Sequence, residues 1–324
     1  MQLGWDDDVA VMRPPVRTRV RRKATLWQTL LSGSGPAVCG AWLVGWLLRD
    51  RWLVTRLCYY VPPLFVVAFA LAWWLLARRR RPWARLLVLS VAVGAALKAG
   101  LGDTCWHARV PTPAGALRLV HWNTAWGDFD SNCVWRTVAA DQPDVVVFSE
   151  PPRDLEWRWR ELFPQGDSHI GAGMALLSRW PIDLKGSLVV PGVRSWHIRV
   201  ATPAGPLDVL GVDLESDPFI DHGGPLRQVA RWVMDHGRSP PLIVVGDFNT
   251  PRDSRFFDPL RTLAGNAYEQ AGAGWPYSWP CPVPLWAIDQ AWCTPGLRVV
   301  NHRLKFAPCS DHMRQVMELE MAPP

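Results

Sequence analysis

Cysteine is scarce in this sequence, and its spacing suits neither a zinc module nor a dithiol redox centre. The chain has seven cysteines in 324 residues, and no two of them form a Cys-x-x-Cys motif. A structural zinc site and a thioredoxin-like function are therefore not expected. An oxidising compartment would permit a disulfide, but the sequence does not assign its partners, and the odd number leaves at least one thiol unpaired within a monomer.

The C-terminal two thirds of the chain lack the basic excess of a dedicated nucleic-acid-binding domain. Of the 35 Lys and Arg residues, 16 precede position 117 and 19 follow it, whereas five of the 29 Asp and Glu residues precede it and 24 follow. The net charge is therefore +11 before position 117 and −5 after it. Domains that bind nucleic acid usually carry a basic footprint, so the charge weakens a nuclease interpretation.

Three apolar stretches occupy the region 30–102, at about 30–48, 57–77 and 86–102. A helix needs roughly 20 apolar residues to cross a bilayer. The second stretch is the cleanest candidate, and the first also has the required length. The third is marginal, and a buried helical hairpin is its alternative interpretation. The sequence thus predicts about three transmembrane helices.

The positive charge before position 117 predicts how these helices are oriented. A basic tail lies within residues 1–29, and Arg78–Arg81 with Arg85 follow the second stretch, while the connector 49–56 is less basic. Because Lys and Arg favour the cytoplasmic side, the N-terminus is predicted to be cytoplasmic. In a bacterium this predicts a multi-pass protein of the inner (cell) membrane. Residues 103–116 then form a linker to a periplasmic or extracellular domain at 117–324.

A short apolar run that reads as a buried strand ends at Gly246, directly before Asp247 and Asn249. Residues two apart on an extended backbone face the same side. A carboxylate beside a carboxamide suits a base that deprotonates water next to a group that orients it. The alternative is an Asx-type turn that ends the strand, which both residue types also favour.

Other predicted strands also end in polar residues. The strand ends or strands concerned are 117–123 with Asn123, 145–150 with Glu150, 286–292 with Asp289, and 298–306 followed by Asp311 and His312. Several strand ends that carry Asn, Asp, Glu or His indicate one site for a hard cation at the rim of a sheet.

From Leu117 to Glu320 the sequence resembles the endonuclease/exonuclease/phosphatase superfamily. The motifs that carry the resemblance stand in the order of that family: the strand ending at Asn123, Ser149-Glu150, the segment 173–182, the segment 246–249, Ile288-Asp289 and Ser310-Asp311-His312. The resemblance implies an α/β fold, a two-sheet sandwich like that of DNase I. It also implies hydrolysis of phosphodiester or phosphomonoester bonds.

A Mg²⁺ or Mn²⁺ site follows from the same resemblance. Glu150 would be the principal ligand, with Asn123 beside it and Asp311 near the metal. These ligands offer oxygen, and no soft ligand lies near them in sequence, which favours Mg²⁺ or Mn²⁺ over Zn²⁺.

The resemblance also implies the catalytic roles. Asp247 would activate the attacking water, and Asn249 would hold this water or the phosphate. Asp289 would orient His312, which would stabilise charge on the phosphoryl oxygens or protonate the leaving group. We predict that Asp247 and His312 act from opposite sides of the phosphorus.

One position departs from the family pattern. Asp213 stands where the family usually has a phosphate-contacting His, and a carboxylate repels a phosphate oxygen unless a cation lies between them. Three alternatives remain: Asp213 recruits a second cation, another group contacts the phosphate in its place, or the activity is reduced. Arg227 is predicted to brace the site from a helix. His222 is interpreted as a loop residue or a stand-in, and Arg194 is assigned a surface role.

The substrate stays open at this point. An acidic domain tethered to a membrane favours an envelope or lipid-linked phosphate, with membrane lipid as a partner and no specific nucleic acid. The alternatives are an extracytoplasmic nuclease and a weakened, non-catalytic domain that binds a phosphorylated ligand. The Trp-rich loop 275–286 is interpreted as packing, with a substrate wall or membrane-facing lip as the alternative.

Overall fold

The N-terminal part of the molecule is a bundle of apolar helices. The computed structural model describes residues 26–76 and 82–321. Most of the predicted basic tail and Arg78–Arg81 lie outside the described residues. The helices are α1 (Leu26–Leu48), α2 (Leu53–Tyr59), α3 (Pro63–Leu76) and α4 (Pro82–Leu97), the last continued by a π-helical segment, Lys98–Asp103. Proline opens both α3 and α4, where its missing N–H has no helical partner to lose.

The bundle places apolar side chains both inside and outside. Its interior packs small and aromatic residues, among them Trp42, Val66, Ala70, Trp73 and Val88. Its outer surface exposes large apolar side chains along all of these helices, including Leu47, Phe65, Leu71, Leu76, Leu86 and Val93. A folded domain in water rarely presents so much contiguous apolar surface.

The structure has helices in all three predicted stretches but does not confirm three transmembrane helices. Among the described residues, Pro82–Asp103 alone is long and apolar enough to cross a bilayer as one helix. The second stretch, which is the cleanest in sequence, is broken at Tyr60–Pro62 into α2 and α3, which are bent by 73°. The third stretch, marginal in sequence, gains its length from the π-helical extension. The sequence ranks the second stretch as the best candidate and the third as marginal, whereas among the described residues the third forms the unbroken candidate helix. A count of apolar residues in a window does not detect the break in the second stretch.

The C-terminal part forms a sandwich of two six-stranded sheets. The strands are β1 (Cys105–Trp106), β2 (Leu117–Asn123), β3 (Val145–Ser149), β4 (Asp167–Gly171), β5 (Met174–Ser178), β6 (Ile182–Gly186), β7 (Val193–Thr202), β8 (Gly205–Leu214), β9 (Leu242–Asp247), β10 (Gly265–Asn266), β11 (Ala273–Gly274), β12 (Asp289–Cys293), β13 (Leu297–Lys305) and β14 (Arg314–Met321). One sheet has the order β10-β12-β9-β8-β7-β6 and the other β13-β14-β2-β3-β5-β4, while β1 pairs with β11. The predicted two-sheet α/β sandwich is confirmed.

The core lies between the two sheets and beneath helices on their outer faces. Between the sheets pack residues such as Leu119, Val147, Ile198, Val209 and Val245. The covering helices are α5 (Ser131–Ala140), α6 (Leu155–Leu162), α7 (Gly223–His236), α8 (Asp258–Arg261) and α9 (Ala267–Ala271). The central strands β3 and β9 are covered on both faces. Their sequences are therefore continuous apolar runs and do not alternate between apolar and polar residues.

Two parallel strand pairs bring the polar strand ends to one rim. β2 runs parallel to β3 in one sheet, and β8 runs parallel to β9 in the other. Parallel neighbours end at the same edge, so Asn123, Ser149, Asp213 and Asp247 all finish their strands on the same side of the sandwich. Gly246 allows close contact there, since a Cβ at this position would lie 1.7 Å from the carbonyl oxygen of Val212.

Two predicted segments differ from expectation. The strand expected over 286–292 begins only at Asp289, because Trp286 pairs with Trp279 across a separate loop. The linker is docked rather than free: Val110 donates its backbone N–H to Asn301 Oδ1 at 3.1 Å.

The helical bundle packs against the rim of the sandwich through charged side chains. Arg49 pairs with Asp258 at 3.2 Å, and Lys98 bridges Asp103 and Asp253 at 2.7 and 2.8 Å. The buried carboxylate of Asp50 accepts the backbone N–H of Arg255. The segment read from sequence as a simple connector is therefore a docking surface.

Candidate active site

Three carboxylates form a row across one sheet. Register pairs Asp213 on β8 with Asp247 on β9, and Asp247 with Asp289 on β12. All three side chains are buried. Burial raises the pKa of Asp247, and the neighbouring Asp289 raises it further. Burial, with Asp247 beside it, raises the pKa of Asp213 to about 8. The negative charges of such a row repel one another, and a bound cation, a proton or a guanidinium reduces this repulsion.

His312 stands over this row and is fixed by Asp289. Its Nδ1 lies 2.8 Å from Asp289 Oδ2, and its Nε2 lies 4.0 Å from Asp247 Oδ2. Burial alone would lower the pKa of His312, but the carboxylates, Asp289 foremost, outweigh burial and raise it to about 9. The ring is therefore an imidazolium near neutral pH, with Nδ1–H donated to Asp289 and Nε2–H facing Asp247.

The loop that carries His312 is held by three specific bonds. Trp122 donates its indole N–H to the carbonyl of His312 at 2.9 Å. The backbone N–H of His312 is donated to Ser310 Oγ, and the Ser310 hydroxyl donates to the carbonyl of Asn123 at 2.7 Å. A disulfide joins Cys309, which precedes this loop, to Cys133 on α5. The loop position is thus set by β2 and α5.

Asp247 is oriented by two asparagines. Asn123 Nδ2 donates to Asp247 Oδ2 at 3.0 Å, and the backbone N–H of Asn249 donates to Asp247 Oδ1 at 3.0 Å. The side chain of Asn249 donates in turn to the carbonyl of Leu214, at the end of β8. Asn249 has φ of 45°, a left-handed conformation that Asn tolerates better than most residues. The Asx turn that was the alternative interpretation of this segment is thus present, and the catalytic interpretation stays a prediction.

Glu150 and Asp311 supply further oxygen atoms to the same space. Glu150 follows β3, and burial raises its pKa while Arg194 and His312 oppose the shift. Asp311 Oδ2 accepts the indole N–H of Trp279 at 2.9 Å, but Oδ1 is buried without a hydrogen-bond partner. An orphaned carboxylate oxygen beside a second carboxylate and the Asn123 amide is a donor set that fits a hard cation.

A second cluster of candidate ligands consists of Asp247, Asp289 and His312, whose ligand atoms lie within 4.8 Å of one another. A hydrogen bond already joins Asp289 Oδ2 to His312 Nδ1, whereas Asp289 Oδ1, like Asp311 Oδ1 in the first set, is buried without a partner. The cluster therefore suits proton transfer and charge stabilisation.

Arg194 is a site residue that sequence reasoning missed. Its Nη2 lies 3.0 Å from Asp213 Oδ2, and the two residues are register partners on β7 and β8. The side chain is at the surface, as assigned, and is 42% exposed, but the hairpin at Thr202–Gly205 also places Arg194 opposite Asp213. That turn was the signal that could have found it. The guanidinium of Arg194 thus lies beside Asp213, which stands at the position where the family usually has a His.

Arg227 and His222 are not brought to the carboxylates. Arg227 on α7 is exposed, and its ion pair is a long one to Asp221 at 3.9 Å. His222 is buried beside the start of α7, where its Nδ1 lies 2.8 Å from Thr250 Oγ1. The predicted bracing by Arg227 was wrong, because the helix turns this side chain outward; His222 proves to be a structural residue.

The site opens into a cavity of about 640 Å³. The sandwich contributes Asn123, Glu150, Asp247, Asn249, Asp311, His312, Trp279 and Trp286 to its lining, and the helical bundle contributes Leu57, Tyr60, Val61, Pro62 and Phe65. Two of the tryptophans in the loop 275–286 therefore form a wall of the site, as the alternative interpretation of that loop required.

Comparison with known proteins agrees with this geometry. Residues 120–312 match the model of the Endonuclease/Exonuclease/phosphatase family. Because the match spans more than half of the chain, the chain belongs to this family of phosphoester hydrolases. No curated protein shows significant sequence similarity to it.

Solved structures show the same fold at low sequence identity. A humanized D. rerio TDP2 aligns over 64% of this chain and 100% of its own, with 15% identity and a TM-score of 0.53. A mannosyl-6-phosphatase from Bacteroides thetaiotaomicron covers 63% of this chain and 100% of its own, with 16% identity and a TM-score of 0.51. An endonuclease/exonuclease/phosphatase from Beutenbergia cavernae covers 64% and 72%, with 20% identity and a TM-score of 0.50.

Proposed function

We propose that this protein is a membrane-anchored, Mg²⁺- or Mn²⁺-dependent phosphoesterase. The observation that carries the proposal is the arrangement of Asp247, His312 and Asp289 at one rim, with Glu150 and Asp311 lining the same cavity. Phosphoester hydrolysis needs a base for water, positive charge at the phosphoryl oxygens and a cation. The described residues supply the first two and a donor set for the third.

In the proposed reaction, Asp247 accepts a proton from water as the water oxygen forms its bond to phosphorus. The bond from phosphorus to the ester oxygen then breaks. Asn249 holds the water or the phosphate beside Asp247, and Asn123 keeps the carboxylate oriented. A cation bound by Glu150, Asn123 and Asp311 would neutralise charge on the phosphoryl and leaving oxygens.

His312 is assigned to the phosphoryl oxygens rather than to the leaving group. Its Nε2 is only 4.0 Å from Asp247 Oδ2. An entering and a leaving oxygen in line through phosphorus, each about 2.7 Å from its catalytic group, need more room than this. The geometry therefore speaks against the expected action from opposite sides. An imidazolium on the same side as the water stabilises negative charge in the transition state instead.

The anchoring part of the proposal is supported by the outward apolar surface of the bundle and by the span Pro82–Asp103. In our proposal α1, α3 and α4 lie in the membrane, with the N-terminus in the cytoplasm and the catalytic domain outside it. The ends of these helices that meet the sandwich all lie on one side, as three crossings would require. The disulfide Cys133–Cys309 suits an oxidising compartment.

Reporter fusions test this orientation. An alkaline phosphatase fused after Pro324 should be active, and green fluorescent protein at the same position should stay dark. The opposite pattern would place the catalytic domain in the cytoplasm and move the substrate pool inside the cell.

The proposed substrate is an envelope or lipid-linked phosphate ester. The TDP2 structures include one with single-stranded DNA product, which keeps an extracytoplasmic nuclease as the alternative, but the net charge of −5 after position 117 disfavours a polyanion. A non-catalytic binding domain is the other alternative, and the Asp213 substitution is the observation in its favour.

A substrate panel tests the proposal. The full-length protein, purified in detergent, should hydrolyse at least one of phospholipids, sphingomyelin, inositol phosphates or plasmid DNA when Mg²⁺ is present. A protein with Asp247→Asn serves as the matched blank for contaminating activity. Binding of a panel member without hydrolysis would support the non-catalytic alternative and sink the enzyme proposal.

A further inference from the structure

The cavity at the active site has two chemically different walls. One wall carries the carboxylates and His312, together with the polar edges of Trp279 and Trp286. The helical bundle supplies the other part of the lining through the bend between α2 and α3, with the apolar side chains of Leu57, Val61, Pro62 and Phe65 and with Tyr60, whose hydroxyl is buried. A phosphate ester of a sugar or nucleotide needs several hydrogen-bond partners around its leaving group, and these four apolar side chains offer none.

The apolar wall is fixed in place rather than carried by a loose loop. Arg56 at the end of α2 donates Nη1 and Nη2 to the carbonyls of Ile220 and Phe219, at 2.5 and 3.0 Å. Trp286 donates its indole N–H to the carbonyl of Tyr60, within the bend, at 2.8 Å. These bonds hold the bend of the bundle against the rim of the sandwich. The two walls are thus part of one site.

The apolar wall continues out of the cavity along α3. Phe65, Ala68, Ala72 and Leu76 are exposed. Their spacing of three and four residues places them on one face of the helix, and Phe65 itself lies in the cavity wall and is 56% exposed. The stripe runs from the catalytic site toward the apolar exterior of the bundle, so an extended hydrocarbon chain could lie along it without leaving an apolar surface.

We propose that the α2–α3 bend and the exposed stripe of α3 form a subsite for the hydrocarbon chain of a phosphate-ester amphiphile. The proposal rests on the phosphoesterase function proposed above. It adds that the substrate enters from the bilayer, with its chain along Phe65 and its phosphate at Asp247 and His312. Hydrocarbon is the occupant that fits, because the wall is apolar, is continuous with the outer surface of the bundle and faces the reacting groups across a single cavity.

A chain-length series tests the subsite. Full-length protein in detergent micelles with Mg²⁺ is given 4-nitrophenyl butyl phosphate or 4-nitrophenyl hexadecyl phosphate, which share one reacting group. The measured quantity is the ratio of kcat/KM for the hexadecyl ester to that for the butyl ester. Wild type should prefer the hexadecyl ester by about tenfold or more, because each buried methylene is favourable.

Variants separate the subsite from simple enrichment of long chains in micelles. Phe65→Ser should lower the ratio about tenfold, mainly through KM of the hexadecyl ester. Leu86→Ser provides the matched control, because Leu86 is also exposed but lies on α4 and outside the cavity lining, and it should keep the wild-type ratio. Val61→Thr changes shape least and should lower the ratio in the same direction if Phe65→Ser does not fold.

The outcomes distinguish the two proposals. If wild type hydrolyses both esters and every variant keeps its ratio, the chain subsite is overturned while the phosphoesterase function stands. If Leu86→Ser lowers the ratio as much as Phe65→Ser does, the stripe is not the binding surface and the subsite is again overturned. If wild type hydrolyses neither ester and no other panel substrate, the phosphoesterase proposal fails and the subsite fails with it.

Discussion

In the sandwich, Trp122, Trp196 and Trp292 are at most 2% exposed, although single surface residues such as Trp157 and Phe219 are exposed. In the helical bundle, Leu76 and Leu86 are 70% and 66% exposed, although the same helices also bury a core of their own. Exposed large apolar side chains thus occur on every described helix of the bundle, whereas the sandwich encloses most of its own. This difference supports the proposal that the bundle lies in an apolar medium.

The active site lies where these two regions meet. Each buried carboxylate at the rim of the sandwich is stabilised by a neighbour. Asn123 donates a hydrogen bond to Asp247, Arg194 pairs with Asp213, and His312 pairs with Asp289. The bundle closes the open side of that rim with an apolar wall. In the proposed function, the sandwich supplies the catalytic residues, and the junction controls access and substrate choice. The predictions below test this division, in order of their expected effect on activity.

The largest effect is expected at the cation ligands. Excess chelator should abolish hydrolysis, and added Mg²⁺ or Mn²⁺ should restore it. Glu150→Gln should lower kcat/KM at least about 100-fold and weaken Mg²⁺ binding in calorimetry, because it removes an anionic oxygen ligand. Glu161→Gln, on the exposed surface of α6, is the control and should behave like wild type. Full activity in excess chelator would contradict a metal-dependent mechanism.

A smaller effect is expected at Arg194. Arg194→Gln removes a guanidinium charge that lies beside Asp213 and also opposes the rise in the pKa of Glu150, so kcat/KM should fall about tenfold. Arg199→Gln is a matched control on the same strand, since Arg199 pairs with Asp208 at 2.7 Å toward the far end of the hairpin. Equal kinetics for the two variants would show that the Arg194–Asp213 pair has no role in the site.

The smallest effect on activity is expected at Asp141, which is not part of the cavity lining. Asp141 pairs with Lys305 and Arg314, each at 2.5 Å. Burial opposes ionisation of this carboxyl, but the two cations, Arg314 first, hold its pKa below the ordinary value. Asp141→Asn should lower the free energy of unfolding by about 2–4 kcal/mol and leave kcat unchanged.

The pH dependence of the Asp141 effect has a definite sign. A carboxyl with a depressed folded-state pKa contributes stability above its unfolded pKa near 4, and this contribution is lost as pH falls through the folded value. The stability difference between wild type and Asp141→Asn should therefore be complete at pH 7 and shrink below about pH 4. Chemical denaturation of both proteins at pH 7 and below about pH 4 measures this stability difference. A difference that is the same at both pH values would show that the ion pairs are not its source.

The sequence was sufficient for the features that depend on local pattern. The apolar runs ending at Asn123 and Asp247 mark strands because central strands of a sandwich are apolar on both faces, and the polar residue after each run marks the rim. The family resemblance supplied the order of the motifs and hence the two-sheet fold. His312 and Asp289 could be paired in advance only through that resemblance.

The missed features depend on contacts between distant segments. The partner of Arg194 follows from hairpin register, and the pairing of Cys133 with Cys309 joins residues 176 positions apart. The break at Tyr60–Pro62 coincides with Pro62-Pro63, a helix-breaking pair that an apolar window does not weigh, and the contacts of Arg56 and Trp286 hold the bend in place. For the same reason, the apolar wall of the active site could not be read from a stretch that was interpreted as a membrane span.

A double-mutant cycle at Asp247 and His312 tests the central claim most directly. Steady-state kcat is measured with Mg²⁺ on whichever panel substrate wild type hydrolyses, for Asp247→Asn, His312→Ala and the combined variant. Each single change should lower kcat by about 10²–10⁴-fold. The double variant should be far less impaired than the product of the two losses, because the two groups act on one step. Wild-type turnover in both single variants, or fully multiplicative losses, would contradict the account.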